Sequence, residues 1–353
     1  NLALYLNAPA ASDTMLVGLR LERTSPDLKN LTVRGNREGI IVGVMSVLAS
    51  SPSISGATIT GAEVGIYSDF FSKPTLSLVD ISNCGYAVYV DNFGNASITN
   101  CKLSADTAVY LVNSSWASII DTTLTGATTD IGLQTGSTAW LLNVSFNPAK
   151  VQYGDDECTL IVNWWLQLKI TWQNDAIIPG ADVVMKNSKG TETLRTTTDK
   201  SGLVTWFTVI EYSKTRVATT TYSPYAVNVT FGGFSAEKPV TTDKSKEEVI
   251  KVIDDIFPAL TVNEPADNLI QNFTTVVFRG TASDIGSGIA LLRFSHDGTT
   301  WTDMPATARW EFIAEVPEGT WSYSISLTDI SGNIVTVHKN ITIDLTKPFI
   351  KVD

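Results

Sequence analysis

The chain has 353 residues and a formal net charge of −11, room for roughly two to four domains. The negative charge repels phosphate, so nucleic acid and anionic lipid are poor candidate partners, and no run of 18 or more apolar residues is present to cross a membrane as a helix. Charged residues make up 17%, below the ~25% usual for soluble domains; Ser and Thr take their place, which favours uncharged strands facing water over Lys- and Glu-rich helices.

The first residue is Asn1, with neither Met nor a signal peptide ahead of it, which suggests a processed or trimmed chain. Residues 1–25 read as an N-terminal cap or strand, with an apolar stretch Leu2, Ala3, Leu4, Tyr5 and Leu6. From residue 26 the chain repeats itself. Leu28, Ile54, Leu76, Ile98, Ile119 and Leu141 form one aliphatic column at steps of 21–26 residues. Val33, Ile59, Ile81, Leu103, Leu124 and Phe146 form a second, and Ile40, Ile66, Val88, Val109 and Ile131 a third. Gly35 and Gly39 align with Gly61 and Gly65. One turn of this length cannot bury its apolar face alone, whereas stacked turns can. No 3.6-residue period accompanies the repeat, so its elements are short strands and the unit is a parallel β-helix. The run Ala96-Ser97-Ile98-Thr99-Asn100-Cys101-Lys102-Leu103, followed by Ala108-Val109-Tyr110-Leu111, resembles right-handed, pectin-lyase-like β-helices. The β-helix is expected over residues 1–152, in about six coils, with its register ending after Pro148.

Beyond Gly154-Asp155-Asp156-Glu157 the pattern changes. Leu160–Ile170 reads as a long, largely buried strand, and short strands follow at Ala181–Met185, Leu203–Phe207, Tyr225–Thr230 and Val249–Ile253, separated by Gly, Pro and Asp turns. This is the profile of a β-sandwich over 157–255. Ile178-Pro179-Gly180-Ala181-Asp182-Val183 and Thr198-Asp199-Lys200-Ser201-Gly202 resemble carboxypeptidase-regulatory-like modules, which are normally structural. Residues 257–347 read as a second sandwich. Gly280-Thr281-Ala282-Ser283-Asp284, Ser295-His296-Asp297-Gly298, Glu318-Gly319-Thr320-Trp321 and Thr328-Asp329-Ile330-Ser331-Gly332-Asn333 resemble prokaryotic Ig-like repeats of adhesins and surface layers. Trp301, Trp310 and Trp321 are expected in its core and rim. Residues 348–353, with Phe349, Ile350 and Val352, form a linker or a strand leading to a further domain or a neighbouring subunit.

The fold class is therefore all-β: a right-handed parallel β-helix plus two Ig-like β-sandwich domains. Catalysis is not expected. The only histidines, His296 and His338, lie outside the repeat, and Cys84, Cys101 and Cys158 form no CxxC pair, so neither a zinc site nor a disulfide framework is expected and buried free thiols are. Asp69, Asp80, Asp91, Asp106, Asp121 and Asp130 are the carboxylates of the repeat. Asp69 and Asp91 should stack in neighbouring turns, where two carboxylates 5–10 Å apart hydrolyse glycosides or hold calcium; turn aspartates also serve hydrogen bonding alone. The lyase residues of β-helix enzymes have no counterpart here. Asp254, Asp255, Asp284, Asp329 and Asp344 sit at strand ends near the module joints and are candidate ligands of a structural Ca²⁺; no cofactor is otherwise expected. Asn30, Asn95, Asn113, Asn143, Asn228, Asn272 and Asn340 begin N-x-[ST] sequons and are candidate N-glycan sites in a secreted protein.

The whole string resembles archaeal and bacterial envelope proteins that combine β-helix and Ig-like modules, archaeal ones most of all. That resemblance implies an extracellular structural glycoprotein of an S-layer, sheath or filament, whose partners are copies of itself or other envelope proteins. The apolar ends, Leu2–Leu6 and Phe349–Val352, are the expected strand donors. An adhesin that stacks glycans on Tyr67, Phe70, Phe71, Tyr89 and Tyr110 is the alternative, and a polysaccharide lyase or glycosidase the second.

Overall fold

A computed structural model describes residues 2–7, 15–39 and 41–347. The described residues form strands and one 3₁₀ turn, with no α-helix.

The first half is a β-solenoid. One sheet stacks Leu2–Leu6, Leu31–Gly35, Thr58–Thr60, Asp80–Val90, Lys102–Leu111, Thr123–Leu133 and Val151–Tyr153, with Leu16–Glu22, Ile41–Val47 and Val64–Ser68 joining it at Asp80–Val90. A second stacks Asp27–Lys29, Ser53–Ser55, Thr75–Ser77, Asn95–Thr99, Trp116–Ile120 and Thr138–Leu142. All these neighbours pair in parallel. The first aliphatic column is found rung by rung: Leu28 faces Ile54, then Leu76, Ile98, Ile119 and Leu141. The second runs Val33, Ile59, Ile81, Leu103, Leu124. From Ile54 to Leu141 and from Val33 to Leu103 these side chains have 0% exposure, because each rung covers the apolar face of the next.

The third column needs one correction. Val44, not Ile40, pairs with Ile66, and Leu19 precedes it; Ile40 itself lies outside the described residues. The first step of the repeat is longer than the others, and the extra residues fall between Gly35 and Val44, which shifts the register of that rung. Gly35 and Gly61 meet back to back: a Cβ on Gly61, whose φ is 72°, would lie 2.2 Å from the Gly35 carbonyl oxygen. Asparagine occupies many corners because its short side chain tolerates the left-handed bend. Asn30, Asn83, Asn92, Asn100, Asn113 and Asn143 all have positive φ.

The repeat also continues past Pro148. Val151–Tyr153 pairs with Ile131–Leu133, and the first residues of the strand Thr159–Trp172 pair with Thr138–Leu142, placing Val162 under Leu141. The same strand then leaves the stack. Leu203–Lys214 pairs with it antiparallel along Leu160–Lys169, and Lys246–Val252 parallel along Leu166–Trp172. Its side chains divide accordingly: Leu160 and Val162 belong to the solenoid core, Leu166, Leu168, Ile170 and Trp172 to the next one. A four-stranded sheet, Glu192–Thr197, Asp182–Lys186, Tyr225–Phe231 and Phe234–Val240, closes that second core from the other side.

The third unit faces a three-stranded sheet (Ala259–Glu264, Thr275–Ser283, Arg309–Glu315) against a five-stranded one (Leu269–Gln271, Ile334–Ile343, Gly319–Asp329, Ile289–Ser295, Thr302–Met304). Phe278, Phe294 and Tyr323 meet between them, and Trp310 is buried while Trp301 and Trp321 are half-buried at the rim. The three cysteines are free and buried.

Candidate metal centre at the joint between the second and third units

Three of the five candidate ligands converge. Asp254 follows the Lys246–Val252 strand of the second unit, Asp284 follows Thr275–Ser283, and Asp329 closes Gly319–Asp329. Each offers a carboxylate oxygen, and these oxygens lie within 4.8 Å of one another. Asp254 and Asp329 are 1% exposed. Asp255 is exposed and outside the cluster. Asp344 is exposed too, beside Gln271, whose carbonyl accepts its amide; Thr346 donates to its carboxylate and holds it below the usual carboxylate range.

Local chain chemistry fixes the three side chains. Strand alternation turns Ile250, Val252 and Asp254 inward and Ile253 and Asp255 outward. Asp254 accepts from the Ile256 amide (3.0 Å) and the Ser287 amide (2.7 Å). Asp329 Oδ1 accepts from the Ser331 hydroxyl and the Gly332 and Asn333 amides, and Oδ2 from Asn333 Nδ2. Asp284 Oδ2 accepts from the Gly286 and Gly288 amides (3.1 and 2.5 Å). Asp284 Oδ1 is closed to solvent and has no donor. Gly286 is required by proximity: a Cβ there would lie 2.4 Å from Asp254 Oδ2.

Further hydrogen bonds cross the joint. Gln173 Nε2 donates to Ser331 Oγ, Asn174 Nδ2 to the Ile330 carbonyl, and Asn333 Nδ2 to the carbonyls of Asp254 and Ile256. Among the described residues no Lys, Arg or His forms an ion pair with Asp254, Asp284 or Asp329; the nearby Lys251 pairs with Asp175 instead.

The solenoid carboxylates have other partners. Asp69 and Asp91 do occupy equivalent corners, but Asp69 Oδ1 accepts from the Phe70 amide and Asn92 Nδ2, and Asp91 Oδ1 from the Asn92 amide and Asn113 Nδ2. Asp121 accepts from Asn143 Nδ2, Asp106 pairs with Arg37, and Asp130 takes the Gly126 and Asn147 amides. Asp80 is exposed. His296 is exposed at its turn, and His338 Nδ1 lies 2.9 Å from Ser324 Oγ. Tyr89 meets Tyr67 on one side and Tyr110 on the other with tilted rings, while Phe71 stacks on Phe93 at 5.3 Å, an exposed pair whose second member sequence reasoning passed over.

Of the sequon asparagines, Asn30, Asn272 and Asn340 are exposed, and Asn95, Asn113, Asn143 and Asn228 half-buried. The side-chain amides of Asn113 and Asn143, which a glycan would modify, are hydrogen-bonded to Asp91 and Asp121.

An open cleft of about 450 Å³ lies where the solenoid meets the second unit, lined by Phe146, Trp164, Glu211, Tyr212 and Asp243 among others. Burial raises the Glu211 pKa, the Trp164 Nε1 hydrogen bond (2.6 Å) opposes that rise, and the Asp243 charge adds to it. The folded state thus prefers Glu211 neutral: its stability contribution is present below the ordinary glutamate pKa and is lost as pH rises through the raised one. Glu211→Gln should therefore raise the melting temperature slightly, about 2 °C, near pH 7 and leave it unchanged near pH 4. Equal shifts at both pH values in paired melts would remove this explanation.

No family model matches the chain, and no curated protein matches it in sequence. Among solved structures it is similar to the fibronectin(III)-like modules of Clostridium thermocellum CbhA (15% identity, 52% of this chain and 94% of that one, TM-score 0.24). BcpA, the major pilin subunit of Bacillus cereus, is similar at 13% identity over 51% of this chain and 69% of that one, with a TM-score of 0.23. A bacterial ice-binding adhesin of 1.5 MDa gives 14% identity, 52% and 65% coverage and a TM-score of 0.23. At these scores the likenesses concern β architecture alone and carry no functional conclusion.

Proposed function

We propose that this chain is a structural, non-catalytic element of an extracellular assembly, a surface layer, sheath or filament, that associates with copies of itself through the exposed apolar flank of Leu2–Leu6. The reading takes the solenoid as a right-handed β-helix and the two following units as Ig-like sandwiches. The observation that carries it is the first turn. Leu2–Leu6, Leu16–Glu22 and Asp27–Lys29 each pair on one side only among the described residues. Leu2, Tyr5 and Met15 beside those edges are 51%, 69% and 46% exposed. Unpaired edges with apolar flanks invite strand addition. Leu2–Leu6 serves this differently from the expected donor strand. It is hydrogen-bonded to Leu31–Gly35 of its own chain, so it offers a neighbour its outer edge rather than itself. Phe349, Ile350 and Val352 lie outside the described residues.

The carboxylates tied into corner hydrogen bonds support a non-catalytic solenoid, and the exposed Asn30, Asn272 and Asn340 are the sequons we assign as glycan carriers. Charge on an edge strand blocks edge-to-edge pairing. The double substitution Leu2→Lys/Tyr5→Lys touches two exposed side chains, and should convert assembled protein to monomer, by light scattering on a sizing column, with an unchanged circular dichroism spectrum. Undiminished assembly by the variant would remove this flank as the contact.

A further inference from the structure

We propose that the joint between the second and third units binds one calcium ion, held by Asp254, Asp284 and Asp329. Three carboxylates lie gathered within 4.8 Å of one another, two of them sealed from water, and among the described residues no basic side chain is paired to them. Such an arrangement is unfavourable unless a cation enters. The second observation is independent of the clustering. Asp284 Oδ1 is the one oxygen of the three side chains that is both buried and without a donor. Its sister oxygen and the carboxylates of Asp254 and Asp329 are held by backbone amides and side-chain donors, which fixes their orientation and leaves Asp284 Oδ1 free for a ligand that accepts electron pairs.

The donor set names the class of ion. It is all oxygen, with no His or Cys in the group, which disfavours zinc and copper. Magnesium keeps several waters in a strict octahedron, whereas calcium accepts irregular arrangements of carboxylate and carbonyl oxygens, the kind of donor that a sealed joint of loops supplies. The ion links two units: Asp254 comes from the second, Asp284 and Asp329 from the third. Bound there, it would join the Gln173, Asn174 and Asn333 hydrogen bonds in fixing how one unit sits on the other. This inference is separate from the assembly reading, because a monomer reports it equally well.

The test uses the full chain, stripped with a chelator and then titrated with calcium chloride by calorimetry, with melting followed in parallel. We expect one ion per chain. At about a hundredfold excess over the dissociation constant, the transition of the third unit should rise by on the order of 10 °C. Asp284→Asn keeps an oxygen for the Gly286 and Gly288 amides but removes one charge. It should lose at least about tenfold in calcium affinity, yet melt at or above the wild type in chelator, because the repulsion is relieved. A purely structural Asp284 would give a variant less stable in both media. The proposal is overturned if the wild type melts identically in calcium and in chelator, or if Asp284→Asn keeps the full calcium response. Should that variant fail to fold, the wild-type titration alone decides.

Discussion

Ile98→Asp should abolish folding of the solenoid. Ile98 has 0% exposure and lies between Leu76 on one rung and Ile119 on the next. An unpaired carboxylate at that position costs several kcal/mol after relaxation, and the apolar contacts of the isoleucine are lost as well. A domain stable by about 5–15 kcal/mol has little margin left. Ile98→Ala provides the graded version, a loss of about 2–5 kcal/mol with the fold retained. Circular dichroism and denaturant titration separate the two outcomes. An Ile98→Asp protein that melted like the wild type would mean that the stacked columns are not the core.

Trp172→Ala should be nearly as damaging, by about 3–5 kcal/mol, and its effect should spread. Trp172 is 2% exposed and meets Phe231 and Phe234 edge to face across the second core, at ring separations of 6.0 and 5.6 Å. It sits at the end of the strand whose beginning completes the solenoid. Tyr212, on the antiparallel partner strand, packs on the solenoid core, and Trp164 touches both cores. Opening the second unit therefore uncovers Leu160 and Val162, so urea midpoints read by probes in the solenoid and in the second unit should fall together. A fall confined to the second unit would contradict that coupling.

Much of the solenoid was legible because period-22 columns of Ile, Leu and Val have one physical use, mutual burial between turns. The failures lie where the period slips or a residue serves two structures. Ile40 matched Ile66 by alignment, but the longer first step leaves Val44 in the column. Val162 continues the Leu141 column at an ordinary step, yet the apolar run Leu160–Ile170 hides it among residues of the next unit. Glu192–Thr197 and Phe234–Val240 escaped notice because they are edge strands with one wet face, and their polar residues resemble turns. At the metal centre, strand ends pointed to the right class of residue without separating members from bystanders. The period-2 alternation that buries Val252 also selects Asp254 over Asp255. Asp284 and Asp329 are both followed by Ile and then small residues whose amides fold back on the carboxylate. Asp344 has a comparable turn, the Thr346 amide folding back on its carboxylate, but lies apart from the three.

The strand Thr159–Trp172 makes the solenoid and the second unit one continuous body. Hydrogen exchange on the full chain, wild type against Trp172→Ala, reads that continuity. Amides of Thr138–Leu142 in the solenoid and of Tyr225–Phe231 in the second unit should lose protection by similar factors. Amides of Ile334–Ile343 in the third unit should be unchanged. Wild-type protection along Thr138–Leu142 beside a collapsed Tyr225–Phe231 would show two independently stable bodies and contradict the account.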